Sequence, residues 1–261
     1  MALTTERTTF GELLKGWRGR RRMSQLELAS EAAVSTRHLS FLETGRARPS
    51  REMVLHLAEQ LEVPLRERNA LLEAAGFARA YDQRPLDAPE LAPAREALDL
   101  VLASHEPYPA IVIDRWWDLV AANSAITLFI EGMPDELLAP PINVVRASTH
   151  PDGLARRIEN FEEYAAHLVG RLRRQVELTA DARLAALLTE VRGYPGVVEV
   201  AGLEPRGAAL LPMRVRSAHD TVLSFFSTIA TFGTPTDVTL EELAIETFFP
   251  ADQVTRDAFT S

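Results

Sequence analysis

Residues 24 to 45 most constrain the fold: Ser-Gln-Leu-Glu-Leu-Ala-Ser-Glu-Ala-Ala-Val-Ser-Thr-Arg-His-Leu-Ser-Phe-Leu-Glu-Thr-Gly places two short apolar-striped segments either side of a turn. Ser24 is positioned to cap a first helix, with Leu26, Leu28, Ala29 and Ala32 expected to face inward. Ala33 and Val34 form the turn, and Ser35 caps a second helix buried through Leu39 and Leu42. The layout is that of a helix-turn-helix.

On the second helix Thr36, Arg37, His38 and Ser40 stay outside. A hydroxyl and a guanidinium at the exposed N-terminal end of such a helix can reach base edges and phosphates in a major groove. The flanks extend the pattern. Phe10 to Arg22 reads as a preceding helix with Phe10, Leu13, Leu14 and Trp17 at core spacing, its polar face carrying Lys15, Arg18, Arg20, Arg21 and Arg22. Gly45 stops the second motif helix, Arg46 and Arg48 lie in a loop, and two further amphipathic helices run from Arg51 to Leu61 and from Pro64 to Ala75.

The order Met-Ser-Gln-x-Glu-Leu-Ala, Val-Ser, Leu-Glu-x-Gly and Arg-Pro-Ser across residues 10 to 76 resembles the xenobiotic-response-element (XRE, Cro/phage-repressor) class of DNA-binding domain. The resemblance implies that Gln25 contacts phosphate and sets register, and that Thr36, Arg37 and Ser40, with Ser35 and His38 beside them, face the bases. It also implies that Arg46, Arg48 and Arg51 grip the DNA backbone, and Arg21, on the cationic face of the preceding helix, is expected to do the same. Charge separates this reading from a protein-binding helical bundle. Residues 7 to 51 hold ten Lys and Arg against four Asp and Glu, a local net charge of +6 in a chain whose total is −9. Residues 83 to 261 carry a net −11. An acidic body fused to a basic head confines contact with a polyanion to the head.

At 261 residues two domains are expected, and 46% hydrophobic residues suffice for two cores. No apolar run approaches the roughly 20 residues that span a bilayer, and the first residues show no hydrophobic signal core. A cytoplasmic protein without a membrane partner is therefore expected. The absence of cysteine excludes disulfides, thiolate metal sites and cysteine nucleophiles. The histidines are scattered, and neither a Gly-x-Ser-x-Gly elbow nor a phosphate loop is present, so no enzyme is expected.

The first domain is drawn as residues 1–81. Residues 82–106 read as a Pro-rich linker and a connector helix, from Ala94 to Ser104, suited to a dimer contact. Residues 107–261 form the second domain. Ala110 to Asp114 and Asp118 to Ala122 read as a strand hairpin, after which Asn123 caps a helix. A long helix is expected from Leu154 to Gln175, and another from Thr179 or Asp181 to Arg192. Leu210 to Arg216, Thr221 to Thr231 and Val238 to Phe248 read as a three-strand meander. The fold class is thus multidomain: an all-α five-helix helix-turn-helix domain, then an α+β PAS-like domain with a mostly antiparallel five-stranded sheet.

Asp114-Arg-Trp-Trp-Asp-Leu-Val-Ala-Ala-Asn123, Asn143-Val-Val-Arg146, His150-Pro-Asp-Gly-Leu154, Phe225 to Phe232 and Phe248-Phe-Pro-Ala-Asp252 resemble the MmyB-like ligand-binding domain that follows such a helix-turn-helix in many regulators. The resemblance implies a PAS-like sensing role without naming the ligand. Trp116, Trp117, Phe129, Phe161, Phe225 and Phe232 are the candidate pocket walls, and an apolar or amphipathic molecule suits them better than a nucleotide. A fatty acid is the candidate ligand, with Arg146 or Arg115 as its carboxylate partner, and no obligatory cofactor is expected. The expected partners are double-stranded DNA, a second copy of the chain, a small-molecule effector and RNA polymerase. The alternative is a second domain that binds no ligand and serves protein interaction or dimerisation.

Overall fold

The computed structural model describes residues 8–198 and 210–260. The described residues form two compact units: those up to Pro85 together with Thr234–Glu241, and the remainder.

The first unit contains α1 (Phe10–Arg20), α2 (Gln25–Glu31), α3 (Thr36–Glu43), α4 (Arg51–Gln60) and α5 (Leu65–Ala74). Local hydrogen bonds set their starts. Thr9 with Glu12 and Ser24 with Glu27 make reciprocal capping boxes, while the Ser35 and Ser50 hydroxyls accept from the amides of His38 and Met53. Phe10, Leu14, Trp17, Leu28, Ala29, Leu39, Leu42, Val54 and Leu57 share one core. Leu26 departs from expectation: it is 68% exposed. Leu28, Ala29 and Ala32 set the inward face of α2, and a residue two positions before Leu28 lies on the other side of the helix.

Gly11 lets α1 and α3 approach closely, since a Cβ there would stand 2.4 Å from the Glu43 carbonyl oxygen. Across the same contact a buried carboxylate is satisfied. Glu43 accepts from Arg18 Nε at 2.6 Å and Nη2 at 2.9 Å, and from Gln25 Nε2 at 2.7 Å.

Thr234–Glu241 contributes a strap to this unit. Val238 donates its amide to the Asp82 carbonyl at 2.8 Å, Arg84 donates to buried Asp237 at 3.0 Å, and Thr239 Oγ1 donates to the Arg84 carbonyl at 2.6 Å. Pro64, at the start of α5, brings no capping side chain, and Glu241 takes that role by accepting from the Leu65 amide at 2.6 Å.

The second unit opens with α6 (Ala92–Ser104), β1 (Ala110–Ile113) and β2 (Leu119–Ala122). Short helices α7 (Thr127–Ile130), α8 (Asp135–Leu138) and α9 (Val144–Thr149) follow, then α10 (Phe161–Thr179), α11 (Ala182–Arg192), β3 (Met213–Arg216) and β4 (Val222–Ala230). The strap holds α12 (Val238–Glu241), and β5 (Ala244–Pro250) and α13 (Gln253–Ala258) return to the second unit. The five strands form an antiparallel sheet in the order β2-β1-β5-β4-β3. Leu168, Val169 and Leu172 of α10 and Leu184, Leu187, Leu188 and Val191 of α11 pack with Ile111, Ile113, Met213, Val215, Leu223, Phe225 and Phe248 of the sheet.

Three expectations change here. The helix expected from Leu154 to Gln175 is interrupted. Ile158 bridges to Val215, and Asn160 donates to the Pro212 carbonyl and accepts from the Arg214 amide, drawing the chain onto the β3 edge before α10 begins. The strand expected from Val238 starts instead at Ala244, because its first residues turn helical in the strap. Asn123 does not cap a helix with its side chain. Buried, it accepts from the Ala110 amide and donates to the Leu102 and Tyr108 carbonyls, tying α6 to the hairpin.

Candidate nucleic-acid interface and ligand cavity

On α3, Leu39 and Leu42 turn into the core while Thr36 and Arg37 are exposed and His38 and Ser40 half-exposed. Ser35 is exposed as well, with its hydroxyl engaged in the cap. Arg46, Arg48 and Arg51 are exposed in the loop after α3 and at the start of α4. Two expected DNA contacts are otherwise engaged. Gln25 spends its amide NH₂ on Glu43. Arg21 donates to the carbonyls of Leu61 at 2.8 Å and Glu62 at 2.7 Å, so it ties α1 to the turn just past α4 rather than projecting to a DNA backbone. Arg20 lies 4.0 Å over the Trp17 ring, and burial pushes its guanidinium pKa down. Phe41 was not singled out from the sequence; its ring stands 5.2 Å from the Arg37 guanidinium, one helical turn away.

The second unit holds a cavity of about 280 Å³ between α10 and the sheet. Its apolar wall is Leu168, Met213, Phe225, Phe226 and Phe248, together with Leu210 and Leu211. A polar cluster occupies one part of the lining. Arg171 lies 3.6 Å from Glu246 Oε1 and 4.7 Å over the Trp117 ring, and the Ser227 hydroxyl donates to Glu246 at 2.6 Å. Burial, followed by the neighbouring Glu246 charge, raises the Tyr164 hydroxyl pKa. His167, exposed as a residue, has its imidazole lowered by partial burial of the ring and by the Arg171 charge.

Of the aromatics singled out from sequence, Phe225 lines this cavity. Phe129 stands behind it in the core, edge-on to Phe225 and Phe248, and Trp117 is buried beneath Arg171. Phe161 is half-buried against the core, and Phe232 is half-buried in the loop after β4. Trp116 and Arg146 border a separate cleft of about 150 Å³ with Asp118, Asn143, Arg183 and Glu190. There Arg146 grips Glu190 at 2.6 and 2.7 Å, and Arg183 pairs with Asp118 over the Trp116 ring. Arg115 is buried against Glu242 at 2.7 Å and Asp181 at 3.3 Å. The cation that borders the larger cavity is thus Arg171, not Arg146 or Arg115. A signal for it existed: Tyr164, His167, Leu168 and Arg171 recur at i, i+3, i+4 and i+7, which places them on one helix face.

Residues 9–71 match a helix-turn-helix domain family. Residues 94–261, more than half of the chain, match the MmyB-like transcription regulator ligand binding domain. The chain belongs to the MmyB-like transcription regulators. A search of proteins of curated function finds none that matches. This MmyB-like regulator joins a DNA-binding helix-turn-helix to a ligand-binding domain. Among its described residues no helix is long and apolar enough to cross a membrane, and no group of His, Asp and Glu is arranged to hold a metal ion.

Proposed function

We propose that the regulator binds duplex operators as a homodimer through the outer face of α3, and that an amphipathic acid of the fatty-acid type, held in the α10–sheet cavity, sets its operator affinity. The observation that carries the reading is a continuity of chain. Phe225, Phe226 and Ser227 of β4 and Glu246 and Phe248 of β5 line the cavity, and the segment joining these two strands contains the strap packed into the DNA-binding unit. A ligand that shifts either strand therefore pulls on Asp237 and Glu241, which hold Arg84 and the start of α5. Such a ligand acts through its differential affinity for two arrangements of the strap.

The apolar wall suits an alkyl chain, and Arg171 is the cation for a carboxylate head. Glu246, which also lines the cavity, accepts from the Ser227 hydroxyl and shares Arg171 with that head. Support for a dimer comes from α6, where Leu100 and Val101 are 67% and 39% exposed beside each other on the helix. Two heads on half-sites about one helical turn apart bind far more tightly than one.

The test begins with selection of bound duplexes from a random library, followed by titration of the best site with and without decanoate, and with decanol as a head-group control. Decanoate is expected to change operator affinity about fivefold or more, and Arg171→Met to abolish that change. A selected operator whose affinity decanoate leaves unaltered, with no shift in melting temperature, would remove the fatty-acid reading and leave DNA binding intact.

A further inference from the structure

We infer that Phe41 is a base-reading side chain that takes the C5 methyl of thymine, and that Arg37 and Phe41 read a base step as one stacked unit. The inference rests on the proposed operator binding through α3 and deepens it.

Four observations meet at Phe41. First, its position on the helix is outward. At about 100° per residue, Leu39, Leu42 and Glu43 define the buried side of α3, and Arg37, Phe41 and Thr44 fall on the opposite side. Second, the ring stands outside the core cluster. Leu39 and Leu42 are 0% and 1% exposed, whereas Phe41 keeps part of its surface in water and is not among the described side chains packed on the core of its unit. Third, the Arg37 guanidinium stands 5.2 Å from the ring, one turn away, which restrains two flexible side chains in a common orientation. Fourth, the Phe41 carbonyl accepts from the amides of Arg46 at 2.8 Å and Ala47 at 3.1 Å. The loop bearing exposed Arg46 and Arg48 is thereby anchored to the residue that carries the ring.

An aromatic ring left partly in water on a polar helix face forgoes part of the stabilisation of full burial. A DNA groove restores that burial. In the major groove the guanidinium finds O6 and N7 of guanine, and the one apolar feature of a base edge is the thymine methyl. A stacked Arg–Phe pair one helical turn long therefore fits a guanine and a neighbouring thymine. The same ring meets a 5-methylcytosine equally well, because the methyl group occupies the same place in the groove.

The decisive perturbation is made on the DNA and needs no altered protein. In the selected operator each thymine is replaced in turn by uracil, which removes the methyl and keeps every hydrogen-bonding group. Wild-type protein is expected to lose about fourfold in affinity at one thymine per half-site, the effect of one buried methyl. Phe41→Ala is expected to bind thymine and uracil operators equally, and Phe41→Leu to retain a reduced preference, with melting temperatures confirming that both fold. Equal binding of thymine and uracil duplexes by wild type would overturn the inference while leaving operator binding in place. So would an undiminished thymine preference in Phe41→Ala. Failure to enrich any duplex at all would instead overturn the DNA-binding reading on which it stands.

Discussion

Replacing Glu43 by alanine tests whether one buried ion pair holds the helix-turn-helix together. The Glu43 side chain is 2% exposed and that of Arg18 14%, with two charge-assisted hydrogen bonds between them and a third from Gln25. Removing the carboxylate strands a guanidinium and an amide in the interface of α1, α2 and α3. Breaking a buried pair on one side costs about 3–5 kcal/mol, a large share of the roughly 5–15 kcal/mol that stabilises a typical domain. Replacing both charges, as in Arg18→Met with Glu43→Leu, is expected to cost far less, since the same partners then meet as apolar groups. Because two units need not unfold together, the readout is native-state hydrogen exchange at the Leu39 and Leu42 amides in the full chain. The pair also dictates a pH dependence. Burial by itself raises the Glu43 carboxyl, but the hydrogen bonds from Arg18 and Gln25 and the nearby positive charges outweigh it and hold the pKa below the usual carboxylate value. A carboxyl depressed on folding contributes its stability above the unfolded value of about 4.3 and loses it as pH falls through the lower, folded value. Protection at Leu39 and Leu42 is therefore expected to fall steeply below about pH 4.3 in wild type and only shallowly in the double variant. A cost for Glu43→Ala under about 1 kcal/mol, the range of a surface pair, would refute the argument.

Gly11→Ala is expected to destabilise the first unit and weaken operator binding together, because the added Cβ meets the carbonyl oxygens of Glu43 at 2.4 Å and Leu42 at 2.7 Å and must push α3 away from α1; thermal melting and operator titration check it, and an unchanged melting temperature would show that the contact relaxes. Arg21→Ala and Arg48→Ala are expected to separate two uses of a surface cation. The first lowers stability by about 1 kcal/mol per lost carbonyl contact with little change in the salt slope of DNA binding, and the second reduces that slope by about one contact without affecting stability. Identical salt slopes for the two variants would remove the distinction.

The starts of α1 to α4 were legible because their signals are local. Thr9, Ser24, Ser35 and Ser50 each cap an amide three residues on, so the bond that defines the helix start lies within the stretch of sequence that announces it. The strands at 110–113 and 119–122 and their hairpin were legible for a similar reason: six residues separate partners such as Ile113 and Leu119. The basic head and acidic body follow from composition.

The fate of individual polar side chains was a different matter. Arg21 and Arg48 look alike in the sequence, yet Arg21 is engaged by carbonyls 40 and 41 residues away. Arg115 and Arg146 were the expected partners of a ligand carboxylate, and both are consumed by the chain's own carboxylates, Arg115 by Glu242 across 127 residues and Arg146 by Glu190 across 44. Asn160 interrupts a helix that its own periodicity would continue, because the β3 edge offers it better partners. The strap shows the limit most clearly: the acidic residue that caps α5 lies 176 residues beyond the amide it receives. By itself the sequence determined the helix-turn-helix, the charge division and the class of the second domain, since capping and apolar periodicity act within a turn or two of chain. Only the tertiary structure decided which cation borders the cavity and which segment ties its strands to the DNA-binding unit, because a charged side chain takes whichever partner the closed fold brings within hydrogen-bond reach.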